Sequence, residues 1–459
     1  MAHSNKPTLN KLKTSSLDRR LSMAKTSLNI GRRWASNSLG GLLVDKQTRQ
    51  LRKQAFMQEQ SQYLVEEIGK LKGSVVKIGQ MMALYGEHLL PPEVTQALHT
   101  LNDNTAPLSW HIIQPVIAQQ LGNRVNDLQI DPTPIGTASL AQVHKATIKQ
   151  TGEQVVLKIQ YPGVADAIDS DLNMFTQLLK VSNAVPQTRA FDTWINEIRD
   201  LLYREVDYAL EAKTTKDFYQ RLQHDPRYVV PKIIDEYSSP QIICMTFEQG
   251  LTISDTRLKT LSQQRRDRIG QSAIDIMLGE IFTWGEMQTD PNFGNYLVRL
   301  AENDNEQDKL VLLDFGAIRQ FDDNLLSIAQ SLLLAGYNHD KQQMIDAMSD
   351  TNYEFFNKMS LNIRADMADV FLLGTEPLAN AEKLDKFVWL DDNGKYIWAT
   401  SDLHARIMQR AREAAQSFEF SIPPKEFMFI SRKFIGAYTL LTVLDSRTNA
   451  KQMVEKFID

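Results

Sequence analysis

Three polar residues near the middle of the chain have the types and spacing most specific to one chemistry. Asp290 and Asn295 stand five positions apart in Gln288-Thr289-Asp290-Pro291-Asn292-Phe293-Gly294-Asn295, and Asp314 heads Asp314-Phe315-Gly316. A lone carboxylate can position or deprotonate an attacking hydroxyl or water, and Asn and Asp oxygens are ligands for hard cations such as Mg2+. Those are the residue types that phosphoryl transfer from a nucleotide requires. Asp-Phe-Gly alone is a weak signal, because a strand ending in a tight turn uses the same residues. The ordered combination Asp-x-x-x-x-Asn and then Asp-Phe-Gly is far more specific.

Bringing the three together requires a hairpin between them. Residues 296–299 and 309–313 read as short β-rich runs separated by a polar turn carrying Glu302, Asp304, Glu306 and Asp308. Further upstream, residues 135–147 run from a small-residue loop, Gly136-Thr137-Ala138-Ser139, into a strand, and Thr151-Gly152 turns the chain into the strand Gln154–Gln160. Backbone N–H groups of such a loop can cradle phosphate. With one glycine instead of several, the loop has fewer conformations open to it. Lys158 is placed to contact the α/β phosphates as a point charge, or else is an ordinary edge-strand lysine. Its acidic partner is Glu205 or Glu211, and Glu211 is favoured. Glu205 and Asp207, two apart, cannot share a helical face without a local break. Residues 228–234 and 241–247 read as two more strands, leading into Glu248-Gln249-Gly250, a connection where an adenine can use main-chain hydrogen bonds. Cys244 fits a buried strand position rather than a nucleophile.

Helical periodicity covers most of the rest. Residues 43–84 repeat apolar positions Leu64, Ile68, Leu71, Val75 and Ile78 and end at Pro91-Pro92. Within them, Lys77-Ile78-Gly79-Gln80 reads by periodicity alone as an amphipathic helix with Lys77 solvated. Gly79 costs such a helix about 1 kcal/mol relative to Ala, a hint of close backbone approach. Short helices are expected around 94–101 and 110–121. Longer ones are expected over 164–184, 191–224, 265–284, 318–350, 363–373, 403–417 and 425–444, with Pro423-Pro424 before the last and Arg432 and Lys433 packing or pairing inside it. There is no internal repeat, no Cys/His zinc constellation and no basic sheet with interleaved aromatics, so nucleic acid is not an expected partner.

The chain has 459 residues, a formal charge of -5 and one cysteine. The cysteine count excludes an intramolecular disulfide and fits a reducing compartment. Residues 1–54 hold twelve Lys or Arg against only Asp18 and Asp45, a basic leader that reads as a solvated tail or as a contact for anionic lipid or nucleic acid. No apolar run approaches the ~20 residues needed to span a bilayer. Any membrane association is therefore expected to be peripheral.

Taken in order, Lys77-Ile78-Gly79-Gln80, Gly136–His144, Glu205-Val206-Asp207, Asp290, Asn295 and Asp314 resemble the signature set of the UbiB/AarF/ADCK group of atypical protein-kinase-like proteins over most of residues 40–445. Gln288-Thr289-Asp290-Pro291-Asn292 is similar to the variant of its coenzyme Q-associated branch. The resemblance implies an α+β, atypical protein-kinase-like bilobal fold with an N-terminal helical K-x-G-Q extension. Its expected divisions are a basic leader at 1–40, the helical extension at 41–130, an N-lobe with inserted helices at 131–250 and a helical C-lobe at 251–459. It implies ATP and Mg2+ as cofactors. Asp290 and Lys158 become the catalytic pair, and Asn295 and Asp314 the metal ligands. Gly136, Thr137, Ala138, Ser139, Lys158, Glu211, Glu248 and Gly250 stand around the nucleotide, and Lys77, Gly79, Gln80, Glu205 and Asp207 form a family-specific gate. The implied activity is an ATPase supporting ubiquinone or other isoprenoid-lipid metabolism; alternatives are a nucleotide-binding regulatory scaffold with negligible turnover and, more weakly, a protein kinase. Quinone precursors or other lipids, quinone-biosynthesis proteins and a peripheral membrane surface are the implied partners. The expected location is the bacterial cytoplasm or the cytoplasmic face of the inner membrane, with a mitochondrial location as the alternative.

Overall fold

In the computed structural model the chain folds as two compact units, one ending at Ala212 and including Lys232–Phe247, the other comprising Lys213–Pro231 and Glu248–Asp459. The structure describes residues 74–86, 90, 92–100, 107–181, 188–290, 292–302, 307–351, 353–384, 389–416 and 425–458. The basic leader, the stretch with Leu64, Ile68 and Leu71, the turn residues Asp304 and Glu306, Pro91 and Pro423-Pro424 lie outside the described residues.

The first unit is built on one antiparallel sheet in the order β1 (Leu128–Thr137), β2 (Ala141–Ile148), β3 (Gln154–Gln160), β4 (Ile242–Thr246). Alternation along β3 assigns its two faces. Val155, Leu157 and Ile159 are fully buried in a core shared with Ile113, Ile117 and Leu121 of α2 (Trp110–Leu121), while Val156 packs on the other face with Tyr208, Ile233, Ile243 and Met245. Lys158 is in phase with Val156. The sequence reading missed β1, treating residues 93–130 as helices and turns and starting a loop at 135. Pro132 and Pro134 conceal it: proline cannot donate to a ladder and is tolerated only at an edge. That is where β1 lies, with register shifts on both sides of Pro134.

Among the described residues, further helices of this unit are α1 (Ser74–Tyr85), the short helix Pro92–Leu98 expected around 94–101, α3 (Val164–Val181) and α4 (Arg189–Glu205). Val75, Ile78 and Met82 of α1 are buried against Phe175, Phe191, Ile198 and Leu202. The expected continuous helix over 191–224 is broken. After Glu205 the chain leaves helical pairing for Val206 and Asp207, then enters α5 (Tyr208–Leu222), with the Asp207 carboxylate accepting a hydrogen bond from the Leu210 N–H at 2.9 Å. An Asp capping orphan helix N–H groups explains the restart.

In the second unit, α6 (Gln263–Phe282) is largely buried and α7 (Lys425–Leu444) packs on it. Gly270 permits that approach: a Cβ there would lie 2.7 Å from Leu441 Cδ2 and 2.6 Å from Ser446 Oγ. The short strand β5 (Glu286–Gln288) precedes the expected hairpin, β6 (Tyr296–Arg299) and β7 (Lys309–Leu312), whose register sets Tyr296 against Leu312 and Arg299 against Lys309. Tyr228–Val229 adds a parallel strand beside β7, and Leu251–Thr252 an antiparallel one beside β6. Of the strand expected over 228–234, the first two residues pair with β7 and Ile233 forms an isolated antiparallel bridge with Met245 of β4. The helical reading of 318–350 is corrected at its start, where Ile318–Gln320 forms β8 against β5, followed by helices Asp323–Tyr337 and Lys341–Ser349.

Cys244 is fully buried on the core face of β4, and burial pushes its thiol up to about 12. The thiolate is the reactive form. Ellman's reagent at about pH 8 should therefore leave the native protein unlabelled and titrate one thiol per chain after denaturation in guanidinium.

Candidate active site

In the second unit the backbone route through Asp290, Asn295 and Asp314 is stitched at each step. Thr289 donates from both its N–H, at 3.0 Å, and its hydroxyl, at 2.8 Å, to the Ala317 carbonyl. The Asp290 carboxylate accepts from Asn295 Nδ2 at 3.1 Å and from the Asn292 N–H at 3.3 Å, and Asn292 Oδ1 accepts from the Gly294 N–H at 2.9 Å. These Asx-type bonds are the local reason the loop turns without regular structure. The Leu313 N–H donates to the Asn295 carbonyl at 3.0 Å, which brings Asp314 beside the loop. Asp314 Oδ1 accepts from the Gly316 N–H at 2.9 Å. Phe315 is buried with its ring centroid 4.6 Å from that of Phe218, which in turn meets Trp284 edge-on at 5.3 Å. The aromatic anchor fixes the segment whose first residue is Asp314.

The donor set fits a hard cation carried largely by phosphate. Asn295 turns its amide nitrogen, not its oxygen, to Asp290. Among the described residues no group of three or more His, Cys, Asp or Glu could hold a metal ion. One carboxylate, one amide oxygen, substrate phosphates and water are an ordinary shell for Mg2+.

In the first unit, Lys158 Nζ donates to Glu211 Oε1 at 2.6 Å, and Glu211 is 4% exposed. The Tyr208 ring lies 5.5 Å from the same ammonium. Glu211 therefore takes Lys158, as favoured over Glu205, and Glu205 accepts from Lys77 at 2.6 Å. The helix break at Val206–Asp207 separates the acids: Glu205 ends one helix, Asp207 caps the next, and Glu211 lies one turn into it. Within α1, Gly79 is buried and Gln80 half-buried. The loop Gly136-Thr137-Ala138-Ser139 is a tight hairpin turn, with the Ala138 N–H donating to the Ala141 carbonyl at 2.8 Å and Ser139 buried. A Cβ at Gly136 would meet only Val143, at 4.0 Å, so packing does not require glycine there.

Glu248 and Gly250 have structural duties within the second unit. Glu248 pairs with Arg299, whose Nε also donates to the Gln249 carbonyl at 3.2 Å. A Cβ on Gly250 would lie 2.6 Å from Leu297 Cβ, so the close approach to β6 demands glycine.

Sequence reasoning missed a buried polar relay on β2. Both Gln142 and His144 are fully buried. His144 Nδ1–H donates to the Asp131 carbonyl at 2.8 Å, which makes Nε2 the acceptor for the Gln142 amide at 2.7 Å; Gln142 Oε1 in turn accepts from the Leu108 N–H at 2.9 Å. The only sequence signal is an alternation that puts polar residues on the inward phase of β2. Burial pushes the His144 pKa down, against the opposing hydrogen bond and charge of Asp131.

The chain matches the ABC1 atypical kinase-like domain over residues 100–348. It is 30% identical over 395 residues to the Saccharomyces cerevisiae protein named atypical kinase COQ8, mitochondrial, covering 86% of this chain and 75% of that one. It is 29% identical over 383 residues to the Caenorhabditis elegans atypical kinase coq-8, mitochondrial, covering 83% of this chain and 48% of the relative, so it spans about half that protein's length. A Mycobacterium tuberculosis structure, the Rv3197–erythromycin complex, superposes with a TM-score of 0.56 at 20% identity, covering 90% of this chain and 98% of that one, a likeness of fold alone. The fold is thus a mixed α/β, bilobal kinase-like one with helices preceding the sheet. The chain belongs to the ABC1/UbiB atypical kinase-like family, consistent with its COQ8-related branch.

Two outcomes test this geometry. Lys158→Met leaves Glu211 buried without the ammonium and should destabilise the first unit by about 3–5 kcal/mol, with Lys158→Met/Glu211→Leu recovering much of the loss in denaturant titrations. For His144, a folded pKa below the ~6.5 of the unfolded chain means that the unfolded state binds more protons as pH falls. Its contribution to stability is complete above about 6.5 and declines as pH drops below that value toward the depressed folded pKa. Thermal melting of wild type should fall from about pH 7.5 to about pH 5.5 more steeply than melting of His144→Gln.

Proposed function

We propose that the protein is an ATP- and Mg2+-dependent, atypical kinase-like ATPase that supports ubiquinone or other isoprenoid-lipid metabolism. The observation carrying this reading is the Asp290–Asn295 hydrogen bond, with Asp314 tied to the same loop through Leu313. In this reading Asp290 orients the attacking water, or the hydroxyl of a small lipid-linked acceptor, and takes its proton. Asn295 and Asp314 hold Mg2+, whose role when bound is to neutralise charge on the transferring phosphoryl group. Lys158, aimed by Glu211, contacts the α/β phosphates; Gly136, Thr137, Ala138 and Ser139 cover them. The segment Glu248–Gly250 offers main-chain groups to the adenine. Lys77, Gly79 and Gln80 with Glu205 and Asp207 act as the gate that distinguishes this family from peptide-directed kinases.

Lipid-linked substrates and quinone-biosynthesis proteins are the partners in this proposal, reached by peripheral contact with a membrane surface. Among the described residues one helix, Glu426–Leu444, is long and apolar enough to cross a bilayer. We read it as a core helix, because Lys433 inside it forms a buried ion pair with Glu280. The proposed location is the bacterial cytoplasm or the cytoplasmic face of the inner membrane. A mitochondrial setting, which the names of the yeast and nematode relatives carry, is the alternative.

The test is phosphate release from ATP with Mg2+, with and without liposomes carrying a phenolic quinone precursor. Asp290→Ala should retain ATP binding and lose turnover by about 100-fold or more, the usual loss on removing a positioned acid–base group. Equal ATP binding with no turnover in either protein would favour the scaffold reading. Comparable phosphorylation of a peptide would favour a protein kinase.

A further inference from the structure

Two charged side chains far apart in sequence meet inside the second unit at the two ends of the Asp290–Asn295 loop. Glu280, near the C-terminus of α6, and Lys433, midway along α7, are each 3% exposed. Glu280 Oε2 accepts from Lys433 Nζ at 3.0 Å and from the Gln288 N–H at 3.1 Å. The same ammonium donates to the Tyr296 hydroxyl at 3.1 Å. Gln288 stands two residues before Asp290, and Tyr296 immediately follows Asn295. One ion pair thus grips the entry of the loop by a backbone N–H and its exit by a side-chain hydroxyl.

We propose that Lys433 and Glu280 are positioning residues that fix the Asp290–Asn295 loop in its working geometry; this deepens the function proposed above and rests on it. Stability does not account for the pair, because a buried ion pair is often no more stabilising than apolar side chains of similar volume. What apolar side chains cannot supply is direction. Glu280 offers the Gln288 N–H an acceptor, and Lys433 offers Tyr296 a donor, both on helices locked together at Gly270. Besides the Thr289 hydroxyl on the Ala317 carbonyl, the entry has the Gln288 carboxamide, which is buried with neither its nitrogen nor its oxygen hydrogen-bonded. The Lys433 ammonium stays charged in this setting, since Glu280 and the Tyr296 oxygen outweigh the burial that pushes its pKa down and hold it above the ordinary lysine range. Burial pushes the Glu280 carboxyl up against the opposing pull of Lys433 and the Gln288 N–H, so what specifies the clamp is its hydrogen-bond geometry.

The experiment compares wild type, Lys433→Met, Glu280→Gln and the double variant Lys433→Met/Glu280→Met. It measures the melting temperature, kcat and KM for ATP, and amide hydrogen exchange over residues 286–297. Lys433→Met should lower the melting temperature, because it leaves Glu280 buried without its counter-charge. The double variant removes both charges and should return the melting temperature close to the wild-type value. Its kcat should nonetheless stay at least about tenfold below wild type with KM for ATP nearly unchanged, as expected for loss of transition-state positioning. Exchange over 286–297 should stay faster than in wild type while the rest of the chain is unaffected. Glu280→Gln, which keeps an oxygen for the Gln288 N–H, should exchange more slowly in that segment than the double variant. Recovery of kcat and of slow exchange together with stability in the double variant would overturn the proposal, since the pair would then be structural only. If wild type shows no turnover, the proposed activity fails by itself and the exchange comparison decides the positioning claim.

Discussion

The hydrogen bond from the Asn295 amide to the Asp290 carboxylate is the contact through which the second unit turns sequence spacing into a site. Four residues of intervening chain can place two side chains together only if the loop folds back on itself. It does so through backbone bonds to the Asp290 and Asn292 side chains. Once Asn295 is oriented, its carbonyl receives Leu313 and its successor, Tyr296, opens the hairpin that carries Asp314 back. The strands, the buried Phe315 and the polar clamp beneath them all serve to keep those few ångströms fixed. Preorganisation of this kind matters because a displacement of about 1 Å can cost two orders of magnitude in rate.

The first unit meets a different constraint, which is to keep two lysines apart while using acids from one short stretch of chain. A continuous helix through 205–211 would have set Glu205 and Asp207 at a wide angle, with neither stacked on the other. The break at Val206–Asp207 solves this with a residue that is itself acidic, since Asp207 serves the new helix as its cap. Glu205 is left to Lys77 and Glu211 to Lys158. The two pairs differ in environment: Lys77 and Glu205 are partly exposed, whereas Glu211 is almost completely buried. Screening will weaken the first pair and leave the second nearly untouched. The proposed gate thus falls on the partly exposed pair and the proposed phosphate contact on the buried one.

How much of this the sequence discloses depends on whether the cause is local. The Asp-x-x-x-x-Asn loop, the hairpin after it, and the helices at 110–121 and 425–444 are legible because spacing, turn residues and periodicity all lie within a few positions of one another. Strand β1 is not legible, since its two prolines argue against a strand unless it is known to lie at an edge. The helix break at Val206 carries neither Gly nor Pro, and its one local clue, an Asp before Tyr208-Ala209-Leu210, is a capping residue hidden in a run of charges. Gly250 read as part of a nucleotide-facing connection, whereas its requirement for glycine comes from Leu297, nearly fifty residues away. The relay of Gln142 and His144 and the clamp of Glu280 and Lys433 are tertiary outright. Each consists of polar residues on apolar elements, where pattern alone registers an inconsistency and only the fold supplies the partner.

Helix α7 shows why such inconsistencies deserve weight. By length and hydropathy it could cross a bilayer, yet a lone ammonium at its middle is expensive in any apolar medium unless paired. Here the partner is Glu280 on a neighbouring helix, the second hydrogen bond goes to Tyr296, and the opposite charge is shared with the Gln288 backbone. An apolar helix carrying one satisfied charge therefore fits the proposed positioning role, which needs directional bonds. The same residue that breaks the hydropathy pattern is the one that ties this helix to the loop bearing Asp290.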